Sequence, residues 1–145
     1  MRAHRIEKAL MRAEQAEAIA ETRLRWCERA LAMARTAAVS CRAQARSLRE
    51  VAPPGRGDDS LLWQKRVETA AEHLDRLADR YERLYARLRE RTARRRAEAE
   101  AAAATRGSCE LRRETLTQTV AEERAYLLRR EGEEAALSRF LREAS

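Results

Sequence analysis

Residues 51–60, with the sequence VAPPGRGDDS, form the one stretch of this chain in which a helix is improbable. They hold both prolines of the sequence and two of its four glycines. Proline lacks a backbone N–H and clashes with the preceding helical turn, so it ends a helix. On either side lie long runs of Ala, Leu, Arg and Glu, which are strong helix formers. The sequence therefore predicts two long helices joined by a single turn.

The first helix, predicted over residues 3–51, has an apolar seam whose positions alternate in steps of four and three. This spacing of 3.5 residues is typical of a coiled coil. Among its members only Glu17 is polar. The seam consists of Ile6, Leu10, Ala13, Glu17, Ala20, Leu24, Cys27, Leu31, Ala34, Ala38, Cys41, Ala45, Leu48 and Ala52.

The second helix, predicted over residues 61–143, repeats the same steps after residues suited to an N-cap, Asp58 to Ser60. Further along, the seam degenerates to Arg, Glu and Ala. Gly107 and Ser108 then leave two alternatives: the helix continues, with or without a kink, or a third helix folds back. The predicted seam consists of Trp63, Val67, Ala70, Leu74, Leu77, Tyr81, Leu84 and Leu88.

A turn at residues 52–60 predicts an antiparallel arrangement, in which residue i pairs with about 112 − i. Small residues of the first helix then face large ones of the second, as in Ala45 with Val67 and Ala34 with the Leu77 region. The predicted fold is all-α: a long antiparallel two-helix coiled-coil hairpin whose second helix is longer. We expect residues 1–145 to form a single coiled-coil domain.

The charge pattern points to an acidic partner. Charged residues make up 38% of the chain and aromatic residues only 4%, which favours long helices over a compact globule. The net charge of +7 comes from 29 arginines and two lysines against 24 acidic residues. Residues 1–51 carry +5 and residues 61–107 carry +4, whereas residues 108–145 carry −1. A positive surface could meet protein, nucleic acid or membrane.

Catalytic chemistry is not indicated. The sequence has no phosphate-binding GKS/T or G-x-G-x-x-G motif, and its Cys and His residues lack metal-ligand spacing. Cys27, Cys41 and Cys109 are expected to be structural, and His4 and His73 to lie at the surface. We therefore expect no enzyme activity, catalytic residue, cofactor, metal or small-molecule substrate. Without a membrane-spanning run or a signal-like start, the sequence predicts a cytoplasmic protein.

Two features of the helices suggest contacts with a partner. Arg94, Arg95 and Arg96 form the densest basic cluster, which is either a solvated face or a contact for an acidic surface. Nucleic acid is disfavoured there, because three successive side chains point around a helix and acidic residues follow at once. Trp26 lies beside the seam, where it either seals the coiled coil or anchors a partner.

The last third of the chain lacks a partner in the predicted hairpin and still carries apolar residues. Together with the first turns around Ile6 and Leu10, it is predicted to dock another protein. The alternative is that it folds back as a third helix and buries the same residues. Its apolar residues are Leu116, Val120, Tyr126, Leu127, Leu137 and Phe140.

An Arg/Glu/Ala-rich chain that opens with MRAHRIEKALMRAEQAEAIAETRLRWCERAL, turns at VAPPGRGDDS and continues into a longer second helix resembles the FliJ/YscO stalk family of bacterial type III secretion. The resemblance covers the whole chain in architecture. It implies a central stalk that couples a hexameric secretion ATPase to the export gate protein, peripheral to the inner membrane, with secretion chaperones as further partners. Two other hypotheses remain open: a basic coiled-coil adaptor that binds nucleic acid, and a membrane-surface dimer of BAR type.

Overall fold

Two helices make up the fold. The computed structural model describes residues 2–53, 55 and 57–145, so Met1, Pro54 and Arg56, and with them part of the predicted turn, lie outside the described residues. Helix α1 spans Arg2–Glu50 and helix α2 spans Asp58–Ala144. The two helices pack against each other, and no strand occurs in the described residues. This confirms the all-α two-helix hairpin.

Helix α2 is continuous through Gly107 and Gly132. A glycine inside a helix costs only about 1 kcal/mol relative to alanine, and the many Ala, Leu, Arg and Glu residues around it favour the helix. Of the two alternatives at Gly107, the continuous helix is therefore the one the structure adopts, and residues 108–144 do not form a separate third helix. Within the described residues, neither helix has a stretch apolar and long enough to cross a membrane.

The chain divides into two compact units. We call residues Ala18–Glu100 the hairpin unit, and Met1–Glu17 together with Ala101–Ser145 the terminal unit. By residue count the hairpin unit carries a net charge of +6, and the terminal unit carries +1. Nearly all of the net positive charge therefore belongs to the hairpin unit.

The core of the hairpin unit is made of small side chains. Its buried apolar residues are all alanines: Ala34, Ala38, Ala45, Ala71 and Ala78. No large side chain in the described residues is fully buried. The larger seam residues, such as Leu74 and Leu88, are only half-buried. Alanine at the contact brings the two helix backbones close together, so the larger side chains lie at the margins of the interface.

The seam predicted for α1 is confirmed along the helix. Each predicted position from Ile6 to Leu48 is buried or half-buried, and only Ala52, which follows the end of α1, is exposed.

The seam predicted for α2 is partly wrong. Trp63, Val67, Leu74, Leu77, Tyr81 and Leu88 are half-buried as predicted. At two places, however, the predicted residue is exposed and the interface uses the next residue along the chain: Ala71 instead of Ala70, and Tyr85 instead of Leu84. Beside the half-buried Leu77, Ala78 is buried. Ala71 and Ala78 are both 0% exposed. At 77–78 close backbone approach buries the smaller residue, whereas Ala70 and Ala71 are the same size and differ only in their position around the helix. The apolar residues of α2 that are buried here are alanines, so the prediction that small residues of α1 face large ones of α2 does not hold at these positions.

The pairing register of the hairpin unit differs from the prediction as well. The predicted register places Arg42 opposite residue 70. Its guanidinium instead contacts three carboxylates further along α2, those of Asp75, Asp79 and Glu82. The helices are therefore shifted by about eight residues, or about two turns. The predicted pairs Ala45 with Val67 and Ala34 with Leu77 are wrong by that shift.

An asymmetric connection between the helices explains this shift. Arg49, in the last turn of α1, contacts Glu68 at 3.1 Å and Asp75 at 2.8 Å. Helix α2 begins much earlier, at Asp58. About three turns of α2 therefore precede the point where α1 ends. Pro53 and Trp63 are half-buried.

Glycine sets the start of α2. The carbonyl of Gly57 accepts a hydrogen bond from the N–H of Leu61 at 3.2 Å, which closes the first helical turn. Gly57 has a φ of 76°, a conformation that glycine adopts without a steric penalty. The helix thus begins three residues earlier than predicted. Asp58 and Asp59 lie in its first turn, where their negative charge favours the positive end of the helix dipole.

A network of ion pairs joins the helices of the hairpin unit. Arg42 donates to Glu82 at 2.8 Å and to Asp79 at 2.7 Å, and Asp75 contacts both Arg42 and Arg49. Donation to Glu82 and then to Asp79 raises the pKa of Arg42 above its usual range. The same contact with Arg42 lowers the pKa of Glu82. These contacts determine which residues of α2 face α1. The alanine seam alone distinguishes poorly between one pairing register and the next, because its side chains are all small and alike.

The terminal unit has a small core and a polar layer. Leu10 and Ala13 are buried, and Ile6 is half-buried. Glu17, the polar exception in the seam of α1, forms an ion pair with Arg106 of α2, and Arg106 also contacts Glu110 at 2.6 Å. Hydrogen bonds to Glu17 and then to Glu110 raise the pKa of Arg106. The charge of Glu17 in an apolar seam is thereby matched by a partner on the facing helix.

Candidate partner-binding surfaces

A row of exposed arginines runs along α2 in the hairpin unit. The residues follow one another in steps of three or four, so they lie on one face of the helix. From the first to the last they extend about 21 Å. Two adjacent surface depressions are lined mainly by these side chains. We call this set the arginine face, and it consists of Arg80, Arg83, Arg87, Arg91 and Arg94.

The arginine face is not neutralised within the part of the chain that the structure describes. None of its five side chains forms an ion pair there, and Arg83 only donates a long hydrogen bond of 3.4 Å to the carbonyl of Asp79. Arg42 and Arg49, in contrast, are paired with two or three carboxylates each. The arginine face therefore has charge available for an anionic partner.

The predicted cluster of Arg94, Arg95 and Arg96 does not act as one surface. Arg95 is half-buried and donates to Glu98 at 2.9 Å, which raises its pKa. Arg96 pairs with Glu28 of α1 at 3.5 Å. Only Arg94 belongs to the arginine face. The steps of three and four that place Arg94 on one helix face with Arg80, Arg83, Arg87 and Arg91 are present in the sequence, whereas the density of arginines is highest at residues 94–96.

Trp26 lies next to the arginine face. Its side chain is 71% exposed and lines a shallow groove together with Arg23, Ala30, Leu88 and Arg91. Of the two roles predicted for Trp26, sealing the coiled coil fits poorly with this exposure. An exposed tryptophan beside free arginines has the composition of an interaction hot spot.

An apolar face runs along the exposed end of α2 in the terminal unit. All residues from Thr117 to Ser145 are exposed. The seam that includes Arg106 and Cys109 passes through the exposed Arg113 and continues into this segment in steps of three and four. We call these positions the tail face. They are Leu116, Val120, Glu123, Leu127, Arg130, Glu134, Leu137 and Leu141.

The remaining residues predicted to bind a partner are distributed as follows. Tyr126 and Phe140, 58% and 66% exposed, each lie one position before a member of the tail face. Ile6 and Leu116 are half-buried. Leu10 is only 3% exposed, so its side chain belongs to the core of the terminal unit and is not available to a partner. The prediction of Leu10 as a contact is corrected accordingly.

Metal-binding groups are not found in the described residues: no three of their His, Cys, Asp and Glu side chains come together in a way that could hold an ion. The thiols of Cys27, Cys41 and Cys109 are half-buried and not disulfide-bonded. Comparison of the chain with protein-family models, with curated proteins and with solved structures finds no match.

Proposed function

We propose that this chain is a non-enzymatic stalk of a bacterial type III secretion export apparatus, which couples the secretion ATPase ring to the export gate. The observation that carries the proposal is the tail face. A helix that continues the phase of a coiled-coil seam into solvent has an apolar surface suited to a second protein. By the resemblance to the FliJ/YscO family, this end of the hairpin binds inside the hexameric ATPase in the cytoplasm.

In this proposal the ATPase contacts come from the terminal unit. They are Ile6 with the tail-face residues Leu116, Val120 and Leu127, and the flanking Tyr126 and Phe140. Tyr126 belongs to a residue type that is enriched among interface hot spots, and the aliphatic side chains around it exclude water from the contact. The nearly neutral charge of this unit is compatible with an apolar rather than an electrostatic contact.

The arginine face and Trp26 supply the second contact of the proposal. Because the export gate is the other partner of a stalk in this family, we assign these residues to the gate or to a secretion chaperone. Free arginines that meet carboxylates steer association and favour the correct partner, although each exposed pair contributes little affinity.

The arginine face also supports the alternative function, a basic adaptor that binds nucleic acid or a membrane surface. Salt dependence separates the two. Contacts with phosphates release counterions, so the logarithm of the affinity falls linearly and steeply with the logarithm of salt concentration. The affinity for a gate protein that binds through Trp26 as well as the arginines should fall less steeply with salt concentration.

The test uses the full chain and the purified secretion ATPase from the same genome. Leu127→Ala removes a tail-face side chain, and Leu128→Ala is the matched control, because Leu128 is 63% exposed against 54% for Leu127 but lies off that face. We expect Leu127→Ala to weaken ATPase binding by about tenfold or more and Leu128→Ala to change it less than about threefold. Absence of binding by the unmodified chain, or equal losses from both variants, would refute the proposal.

A further inference from the structure

We propose that the tail face pairs with the tail face of a second copy of this chain, as an antiparallel two-helix coiled coil. This goes beyond the proposed function and depends on a different set of contacts. The starting point is continuity. In the terminal unit, α1 covers the seam of α2 as far as Leu116, the last half-buried residue. Beyond it the same seam continues uncovered, so what fits there is another helix with a matching seam.

The charged members of the tail face determine the direction of that second helix. Glu123, Arg130 and Glu134 interrupt the apolar positions. In a parallel, in-register dimer each of these residues meets its own copy, and three layers then hold like charges. Like charges that face each other in such a layer are destabilising. An antiparallel dimer pairs different positions with each other and avoids this.

One antiparallel register leaves no layer of like charges and sets Glu123 against Leu141 of the second copy. It places Leu127 against Leu137 of the second copy, and Arg130 against Glu134 of the second copy. Each pair occurs twice because of the twofold axis. Val120 then meets the small Ala144. Tyr126 and Phe140 lie on the same flank of the seam and pair beside it.

The neighbouring register, one heptad away, is excluded both by like charges and by the packing of α1 on Leu116. It would pair Leu127 with Arg130 and set Glu123 against Glu134, which leaves two layers of like charge. It would also bring Leu141 of the second copy against Leu116, where α1 already packs. Shifting one heptad in the other direction removes the Leu127–Leu137 layers. The choice of register therefore follows from both sterics and charge.

The pairing has a consequence for the proposed stalk. Self-association covers the residues that we assign to the ATPase contact, so dimer formation and ATPase binding exclude each other. A chain that is not engaged with the ring would then have its apolar face covered.

Charge reversal tests the register. Within one helix Arg130 and Glu134 already form an exposed ion pair at 3.3 Å, so a charge reversal has little effect on the fold, which circular dichroism can verify. Sedimentation equilibrium of the full chain under reducing conditions should show a monomer–dimer equilibrium at concentrations up to about 100 μM. Arg130→Glu should raise the dissociation constant at least about tenfold, and adding Glu134→Arg should restore it to within about threefold.

Disulfide formation tests the direction independently. In chains whose native cysteines are replaced by alanine, Leu127→Cys in one copy should cross-link to Leu137→Cys in another. Leu127→Cys should not cross-link to itself. A monomer throughout the concentration range, failure of the double reversal to restore the dimer, or preferential 127–127 cross-linking would overturn the proposal.

These outcomes are distinguishable from failure of the proposed function. A chain that remains monomeric but binds the ATPase would overturn the self-pairing alone. A chain that dimerises in the stated register but, diluted to the monomer below its dimer dissociation constant, does not bind the ATPase would overturn the stalk alone.

Discussion

Exchange of alanine for leucine at two adjacent positions, Ala70 and Ala71, separates the observed interface from the one predicted by the sequence. Ala71 is 0% exposed between the helices, whereas Ala70 is exposed. At Ala71 the added carbon atoms have no space, because the backbones approach closely over alanine. Overpacking of this kind costs about 1–3 kcal/mol. Ala and Leu have similar helix propensities, so Ala70→Leu should change stability by less than about 0.5 kcal/mol.

Thermal unfolding followed by circular dichroism measures both variants. For a unit the size of the hairpin unit, a loss of 1 kcal/mol lowers the melting temperature by about 4–8 °C. We therefore expect Ala71→Leu to melt at least about 4 °C below the parent chain and Ala70→Leu to melt within about 4 °C of it. Equal shifts, or a larger shift for Ala70→Leu, would show that the close alanine contact is misplaced.

Three further predictions concern buried polarity, acid and register. The Oγ1 of Thr92 is buried without a hydrogen-bond partner in the described residues. The isosteric Thr92→Val should therefore raise the free energy of unfolding by about 1–3 kcal/mol. A loss of stability would mean that the hydroxyl group does have a hydrogen-bond partner. Pairing with Arg42 lowers the pKa of Glu82, so this contact stabilises the fold above the usual carboxyl pKa and is lost as the pH falls through the lowered pKa. From neutral to acid pH, the melting temperature of Arg42→Gln should therefore fall less than that of the parent chain. Identical dependence of the two melting temperatures on pH would contradict this. Spin labels at residues 28 and 96 should lie close together, because the Glu28–Arg96 ion pair spans the helices, whereas the register predicted from the sequence would separate them by about 18 Å.

The fold class and the seam of α1 could be predicted from the sequence, because proline and glycine occur together only once and a 3.5-residue pattern extends over the rest. The seam of α2 was harder. Ala70 and Ala71 are chemically identical, and at 77–78 and 84–85 two adjacent residues are both apolar. Strict steps of four and three from Trp63 predicted Leu77 and Leu84, whereas the structure buries Ala78 and half-buries Tyr85, which lies in the same phase as Ala78.

The register could not be obtained from periodicity. A seam of alanines looks alike at every heptad, so the prediction relied on a symmetric turn. The connection is not symmetric, and the distinguishing signal was electrostatic. Arg42 and Arg49 both pair with carboxylates of α2, which supplies Asp75 where these two arginines converge. The two candidate surfaces differ in the same way. The apolar residues of the tail could be predicted from composition, whereas the arginine face follows from the spacing of its arginines along α2 and not from their local density.

The alanine core also constrains how this sequence can change over generations. A single nucleotide change in an alanine codon yields Val, Thr, Ser, Pro, Gly, Asp or Glu. At Ala45, Ala71 or Ala78 each of these is larger, more polar or less favourable to a helix than the residue it replaces. These positions are therefore expected to change slowly, since every amino acid that one nucleotide change can introduce disturbs the contact between the helices. Exposed positions outside the arginine face and the tail face, where almost any helix-forming residue suffices, can diverge freely, so two descendants of this chain could differ widely there and still share the buried alanines.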